Sequence, residues 1–306
     1  MNKYKYLGEG ALILTTLIWG GTFPIIKNAL ANISPMLFIT LRFSLASILV
    51  LPFILKILKN TPRKALIGGM FLGLIYFLGF AAQTAGLKFT SATKSGFITG
   101  TFILFVPLFQ LIIEKRMPGK GNIIGIILVL IGLVFLSSKG TSFLTIFSEL
   151  GDNFNTGDFL TFICAFFFAW YVVYLDLVSK KFNYIPLVFM QLAVTAVGSA
   201  LFMIFFALTE IESPKIILNE AVITALVYTF LLATILTTTL QTKFQKVVSP
   251  AKAGIILSFE PIFAAVFAFF MLQEKITNFG FIGCALIFCG LVAAEVIDKK
   301  EITYGL

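Results

Sequence analysis

Two glutamines, each at the end of a stripe of aromatic or polar side chains, are suited to binding a polar solute. Tyr76, Phe80 and Gln83 recur at i, i+4 and i+7, which places them on one face of a helix. The matching stripe later in the chain consists of Thr234, Thr238 and Gln241. Such amides and hydroxyls can bind a solute, or they can join helices at about 1 kcal/mol per hydrogen bond. We expect the two stripes to converge and bind solute.

Two charged residues lie deep in apolar sequence. Arg42 falls eight residues after Ser34, about 12 Å along a helix that begins there. Glu260 lies about ten residues into an apolar run, and Pro261 after it removes a helical hydrogen bond. The functional interpretation is that Arg42 binds an anionic group and that Glu260 carries a proton. The alternatives are an arginine that caps carbonyls or reaches the interface, and a carboxylate bonded to backbone groups that the proline frees.

Two lysines occupy equivalent positions in similar stretches of the chain. Ser91 and Ser249 have the character of helix N-caps, and Pro250 suits a first helical position. Lys94 and Lys252 then fall in the first helical turn, where the helix dipole disfavours a cation. We expect a substrate or gating role for both; the alternative is that they extend to the membrane interface.

Aromatic residues are a third candidate lining for a binding site. Trp19 and Trp170 match under a shift of 151 positions, and Tyr174 shares a helix face with Trp170. Aromatic walls suit amphipathic or aromatic solutes. Ordinary packing is the alternative, because the chain holds 36 phenylalanines. Asp176 is expected to be solvated.

Composition excludes several classes of protein. Hydrophobic residues make up 59% of the chain and charged residues 12%, half the share of a typical soluble domain. Without histidine, and with three cysteines inside apolar runs, the chain predicts no metal site, cofactor or disulfide framework. The net charge of +9 is spread in short clusters between apolar segments, which argues against nucleic-acid binding.

An internal repeat covers nearly the whole chain. The stretch 83–98 matches the stretch 241–256 at seven of sixteen positions under a shift of 158. The same shift aligns the paired glycines of 125–134 with those of 283–292. We therefore expect two similar halves, with small-residue stripes for close helix contact.

Ten apolar runs of about 20 residues have the length of membrane spans. They cover 7–29, 35–58, 65–87, 92–113, 121–138, 157–179, 184–208, 220–244, 250–272 and 278–297. If the N-terminus is cytoplasmic, fifteen basic residues fall on cytoplasmic segments and five on outer ones. This asymmetry predicts that both termini are cytoplasmic in the cell (plasma) membrane. Since each half has five spans, the second half is expected to be inverted relative to the first, as in secondary transporters.

Short motifs give a resemblance to a known family. The motifs are Trp19-Gly-Gly-Thr-Phe-Pro, Ser34-Pro35, Arg42, Ser91-Ala-Thr-Lys-Ser-Gly-Phe, Glu114, Glu260-Pro261-Ile-Phe and Gln273-Glu274-Lys275. Over about residues 8–297 the chain resembles EamA-type carriers of the drug/metabolite transporter superfamily, with Gln273 in place of a usual glycine. The resemblance implies an all-α integral membrane protein with ten helices around a central cavity. Its parts would be a first repeat at 7–138, an extracytoplasmic linker at 139–156 and a second repeat at 157–297.

The expected function is that of a secondary transporter. It would move small metabolites such as amino acids or amphipathic compounds by alternating access, mostly outward, with the lipid bilayer as its surroundings and the proton as a possible coupling ion. Two alternatives are a membrane receptor or scaffold and a membrane enzyme acting on lipid-linked substrates. The enzyme is disfavoured because the chain has no paired carboxylates at mid-span, no metal-ligand spacing and no phosphate-binding glycine loop.

Overall fold

The computed structural model describes residues 3–137, 154–274 and 277–304, and these residues are all-helical. The helices in chain order are α1 (Lys3–Ala29), α2 (Pro35–Lys59), α3 (Arg63–Phe89), α4 (Ala92–Gly100), α5 (Val106–Phe109), α6 (Lys120–Ser137), α7 (Thr156–Ser179), α8 (Tyr184–Leu208), α9 (Glu220–Phe230), α10 (Thr237–Phe244), α11 (Pro250–Leu257), α12 (Glu260–Leu272) and α13 (Asn278–Tyr304). Most of the predicted linker 139–156 lies outside the described residues, as does Lys275.

The described helices have the length and composition of a multi-pass membrane protein. Eight segments are long and apolar enough to cross a bilayer: Tyr6–Ala29, Pro35–Lys59, Arg63–Phe89, Ala92–Glu114, Thr156–Ser179, Tyr184–Leu208, Glu220–Val247 and Pro250–Leu272. Two further apolar helices, Lys120–Leu136 and Asn278–Ala294, are shorter. Each of the ten predicted spans overlaps one of these segments.

The fourth and ninth predicted spans are both interrupted near their middles. Helix α4 ends at Gly100 and is followed by a 3₁₀ turn at Thr101–Leu104. Helix α11 ends at Leu257 and α12 begins at Glu260. Since Pro261 has no N–H to donate, the helical hydrogen-bond ladder cannot run through this point. The two interruptions are related by the same shift of 158 positions, and they bring helix ends into the middle of the bundle.

Helices from the two halves of the chain pack against one another. Helix α3 lies along α7 and α8, α2 lies along α8, and α1 lies along α12. Helices α6 and α13 meet through the predicted glycine stripes. A Cβ on Gly125 would lie 2.7 Å from the carbonyl oxygen of Gly290, and one on Gly132 would lie 2.7 Å from that of Gly283. The predicted close contact is confirmed, because only glycine permits this approach of two backbones.

Candidate functional site

A narrow cavity at the centre of the bundle is the candidate site. Its volume is about 20 Å³, which is room for about one water molecule. It is lined by Trp19, Tyr76, Thr99, Phe102, Phe168, Tyr171, Val172, Gln241, Leu257 and Glu260. Four of the lining residues belong to the first half of the chain and six to the second, so both halves form the walls.

Glu260 carries the one carboxylate of the cavity lining. The residue is 8% exposed and begins helix α12, where the positive end of the helix dipole favours an anion. The alternative in which Glu260 accepts hydrogen bonds from backbone freed by Pro261 is wrong, because no described residue donates a hydrogen bond to its carboxylate. A buried carboxylate without hydrogen-bond donors can be neutralised by a proton or a bound cation, beyond the support that the helix dipole supplies.

The two predicted glutamines lie at different distances from the cavity. Gln241 lines it, and its amide nitrogen donates to Gln245 Oε1 at 2.9 Å. Its amide oxygen is buried and accepts no hydrogen bond from any residue that the structure describes. Gln83 is behind the wall, where its Nε2 donates to Thr99 Oγ1 at 3.2 Å. Gln241 therefore offers a solute a free acceptor, whereas Gln83 orients a hydroxyl of the wall.

Tyrosines form one aromatic wall of the cavity. The rings of Tyr76 and Tyr171 stack with their centroids 4.7 Å apart, and Phe80 meets Tyr76 edge-on at 4.6 Å. The Tyr76 hydroxyl is hydrogen bonded to Thr238 Oγ1 at 3.0 Å, and that of Tyr171 donates to Gln191 Oε1 at 2.7 Å. Since both hydroxyls are engaged by the protein, the wall presents mainly ring surface.

Arg42 is fully enclosed, at 1% exposure, and does not line the cavity. Its Nε donates to Thr234 Oγ1 at 2.7 Å and its Nη2 to the carbonyl oxygen of Ala233 at 2.9 Å. The guanidinium also lies over the rings of Phe80, at 4.7 Å, and Phe43, at 5.1 Å. The alternative in which Arg42 reaches the membrane interface is wrong, because the side chain is enclosed. The alternative in which Arg42 caps a backbone carbonyl agrees with its contact to Ala233.

A π-helical segment at Leu231–Leu236 explains how one carbonyl receives two donors. A π-turn breaks the regular i to i+4 ladder and leaves carbonyl oxygens for side chains. The Ala233 oxygen accepts from Arg42 and also from Trp19 Nε1 at 3.2 Å. The same Trp19 nitrogen lies 3.0 Å from Thr237 Oγ1. This segment therefore ties α1 and α2 to the second half of the chain.

The matched tryptophans occupy different surroundings. Trp19 lines the cavity, but Trp170 and Tyr174 do not. Trp170 stacks on Phe109 at 5.6 Å, and both Trp170 and Tyr174 contact Phe71 edge-on, at 5.5 and 4.9 Å. The structure therefore separates these two residues from the other predicted binding residues.

The expectation of a solvated Asp176 is wrong. Its side chain is 1% exposed, and one carboxylate oxygen lies 2.5 Å from Lys180 Nζ, one helical turn away. The lysine follows the last residue of α7 and is half exposed, so it brings its charge to the buried aspartate from the helix end.

The two predicted lysines form ion pairs that join the two halves. Lys94 Nζ of α4 lies 2.7 Å from Asp158 Oδ2 of α7, and Asp158 also accepts from Thr90 Oγ1 at 2.7 Å. Lys252 Nζ of α11 lies 2.6 Å from Glu9 Oε1 of α1. Helices α1 and α11 begin at one end of the bundle, whereas α4 and α7 begin at the other. Each end therefore carries one ion pair between the halves.

The predicted helix caps next to these lysines are confirmed. Ser91 Oγ accepts from the backbone N–H of Lys94 at 3.1 Å, and Ser249 Oγ accepts from that of Lys252 at 3.4 Å. Both lysines lie in the first turn of their helices, as expected. An acidic partner from the opposite half offsets the unfavourable dipole in each case.

Six lining residues were not among the sequence candidates: Thr99, Phe102, Phe168, Tyr171, Val172 and Leu257. The repeat could have revealed three of them. Under the shift of 158, Thr99 matches Leu257 and Phe102 matches Glu260, and all four line the cavity. No sequence signal marks Phe168 or Tyr171 among so many aromatic residues. Within the described residues, no cluster of three or more acidic or cysteine side chains could hold a metal ion.

Comparison with known proteins agrees with these features. The profile of the EamA-like transporter family matches residues 6–138 and 155–294. A relative from Archaeoglobus fulgidus, named as an uncharacterized transporter, is 34% identical over 285 residues, which are 93% of this chain and 84% of the relative. The uncharacterized transporter YoaV of Bacillus subtilis is 23% identical over 92% of this chain and 94% of its own length.

One solved crystal structure has a similar fold. It superposes with a TM-score of 0.70 at 17% sequence identity, and covers 94% of this chain and 96% of that one. The family profile matches each half of the chain separately, and the relatives are named as transporters rather than enzymes. This multi-pass membrane protein therefore belongs to the EamA-like transporter family of the drug/metabolite transporter superfamily.

Proposed function

We propose that the protein is a secondary transporter that exports a small organic amine with an aromatic or apolar body. Amino acids and amphipathic cations belong to this class. The observation that carries the proposal is the pairing of two acceptors in the cavity wall, the Glu260 carboxylate and the Gln241 amide oxygen, neither of which accepts a hydrogen bond from a described residue. An ammonium group matches both acceptors, and the surrounding aromatic rings attract a cation.

Glu260 is the proposed coupling residue. A proton and a protonated amine compete for a desolvated carboxylate, because either one neutralises it. Release of the proton would accompany binding of the solute, so an inward proton gradient would drive export. Arg42 acts behind the wall in this proposal, where it orients the π-helical segment and the cavity wall; the anion-binding role expected from the sequence is not needed.

The proposed architecture is that of two inverted five-helix repeats, 7–138 and 157–297, joined by the extracytoplasmic linker 139–156. Ten spans then place both termini in the cytoplasm of a cell-membrane protein. Support comes from the shift of 158, from matching interruptions in α4 and before α12, and from ion pairs at opposite ends. The Lys94–Asp158 pair would close the outer end and the Lys252–Glu9 pair the inner end, in alternation.

Transport in proteoliposomes tests this proposal. Labelled aromatic and aliphatic amines, matched carboxylic acids without the amine, and neutral analogues are offered with and without a pH gradient. Saturable movement of the amines alone, stimulated by the gradient, is expected. Recovery of a chemically altered solute would favour the enzyme alternative, and no movement under any gradient would favour a receptor or scaffold.

Variants of the cavity residues test whether transport depends on this cavity. Gln241→Ala should lower the transport rate about tenfold, because the variant loses one hydrogen bond to the charged ammonium of the solute. Gln83→Ala should lower the rate less. Glu260→Gln should abolish the dependence on pH and also weaken solute binding, because the variant lacks the carboxylate that pairs with the ammonium. Gln110→Ala is the matched control, because Gln110 is also buried with an unpartnered amide oxygen but does not line the cavity. An equal loss of transport in Gln110→Ala and Gln241→Ala would contradict the proposal that the solute binds in the cavity.

A further inference from the structure

A second cavity opens on the outside of the bundle, away from the central site. It lies between α1, α11 and α13 and has a volume of about 250 Å³. Its apolar lining consists of Ile13, Ile256, Phe288, Leu291, Val292 and Val296. Several of these side chains are well exposed, among them Phe288 at 57%. Because α1, α11 and α13 belong to apolar segments of membrane-spanning character, this groove faces lipid rather than water.

The groove has the length of one leaflet. Its residues on α13 run from Phe288 to Val296, which is about 12 Å along a helix. Half of a bilayer hydrocarbon core measures about 15 Å. An acyl chain in the groove would therefore extend from the membrane interface nearly to the midplane.

The polar end of the groove carries charge of both signs. Glu9 and Lys252 line it, and their side chains are 16% and 10% exposed. One carboxylate oxygen of Glu9 pairs with Lys252, and the other accepts no hydrogen bond from a described residue. The pair lies near the start of α1 and of α11, at the end of the groove where a lipid headgroup would be.

We propose that this groove binds one phosphatidylethanolamine molecule from the leaflet in which α1 begins. The lipid ammonium pairs with the open carboxylate oxygen of Glu9, the phosphate faces Lys252, and one acyl chain fills the apolar groove. A primary ammonium donates hydrogen bonds to a carboxylate, whereas a choline group cannot. A glycerol headgroup brings a net negative charge next to Glu9. The site therefore distinguishes three common phospholipid headgroups.

Retention of defined lipids by the purified protein tests the proposal, and it does not depend on which solute is transported. The protein in detergent is titrated with phosphatidylethanolamine, phosphatidylcholine or phosphatidylglycerol of identical chains, and bound lipid is counted by native mass spectrometry. One tightly retained phosphatidylethanolamine is expected, at least fivefold above either other lipid. Equal retention of the three lipids would mean that only nonspecific lipid surrounds the groove and would overturn the proposal.

Two variants at the groove and one control locate the bound lipid. Val292→Trp fills the groove and should remove the fivefold preference. Val197→Trp is the control, because Val197 is also exposed on an apolar helix, α8, but lies outside the groove. Glu9→Gln should reduce retention of phosphatidylethanolamine to that of phosphatidylcholine. If Glu9→Gln does not fold, the two tryptophan variants decide the question. Equal retention of phosphatidylethanolamine by Val292→Trp and Val197→Trp would overturn the proposal.

Discussion

At the scale of single residues, the protein places each buried charge or amide in a distinct setting. Arg42 is satisfied by Thr234, Ala233 and two rings, so it holds structure together. Glu260 and the Gln241 oxygen accept no hydrogen bond from a described residue, which is why we propose that they contact a solute. A buried polar group without a partner is costly and is retained where it serves function. The proposed distinction between structural and solute-binding residues therefore uses two observations together, an acceptor without a partner and a place in the cavity lining.

Glu212 gives a prediction on pH at the residue scale. In the loop before α9, its carboxylate accepts from the backbone N–H of Met36 at 3.0 Å. Burial raises the pKa of Glu212 above its ordinary value, although the Met36 N–H and the Lys88 charge act against this rise. The folded protein then binds more protons than the unfolded chain, so this residue's contribution to stability is present at low pH and decreases as pH rises through the raised pKa.

Glu212→Gln should remove that dependence while keeping an acceptor for Met36. The melting temperature of the wild type relative to the variant should fall as pH rises from about 4.5 to 7. Thermal unfolding in detergent at several pH values measures this. A constant difference across the range would show that Glu212 does not titrate differently in the folded protein.

At the scale of elements, three interruptions of the helices lie close to the cavity or to Arg42, although α1, α3 and α7 contribute lining residues from unbroken helices. The 3₁₀ turn after α4, the gap before α12 and the π-segment before α10 all lie beside cavity or Arg42 contacts. By contrast, α6 and α13 run unbroken and meet through glycines. Broken helices free backbone groups for ligands and side chains, whereas glycine stripes allow close packing.

Gly132→Ala tests the glycine contact. The added Cβ would lie 2.7 Å from the backbone oxygen of Gly283, so α6 and α13 must separate. Overpacking of this kind costs about 1–3 kcal/mol of folding free energy. Gly10→Ala is the control, because nothing lies within 4 Å of its Cβ, and alanine favours a helix by about 0.5–1 kcal/mol. Thermal unfolding should show the first variant less stable than the wild type and the second no less stable. Equal stability of Gly132→Ala and the wild type would contradict the proposed packing.

At the scale of the whole molecule, two ion pairs join the halves at opposite ends of the helix bundle. Lys94 pairs with Asp158 at one end, and Lys252 pairs with Glu9 at the other. Both pairs are present together, and the cavity between them is narrow. Alternating access requires the two ends to open in turn, so one pair would break while the other remains.

Lys94→Gln should favour opening at its own end. Hydrogen bonds to charged groups contribute about 1.5–3 kcal/mol, so the open population should rise about tenfold or more. Cys164 is buried, with its sulfur 4.0 Å from the hydroxyl of Thr99 in the cavity wall. Opening at this end should therefore make Cys164 react faster with a water-soluble thiol reagent. Cys284 and Cys289 are first replaced by alanine.

Lys88→Gln is the control for this measurement, because Lys88 is an exposed lysine near the same end of the bundle. Its labelling rate should equal that of the parent protein. A Lys94→Gln rate no faster than that of Lys88→Gln would mean that the ion pair does not hold this end closed.

The sequence by itself determined the membrane class, the internal repeat within the sequence, the positions of the apolar helices and the family. These follow from composition, periodicity and charge, which are local or additive properties. It also pointed to Trp19, Tyr76, Gln241 and Glu260, which line the cavity, because tryptophan and polar side chains are few in these apolar helices and because the repeat or helical periodicity groups them.

Only the tertiary structure decided which of these residues meet. Arg42 finds its partners 191 and 192 positions away, and the acidic partners of both lysines come from the opposite half. Trp170 matches Trp19 in sequence but packs against Phe71 and Phe109, because the surroundings of the two halves have diverged. Helical periodicity says which side chains share a face, but not which face meets the cavity. That choice depends on packing between helices far apart in the chain.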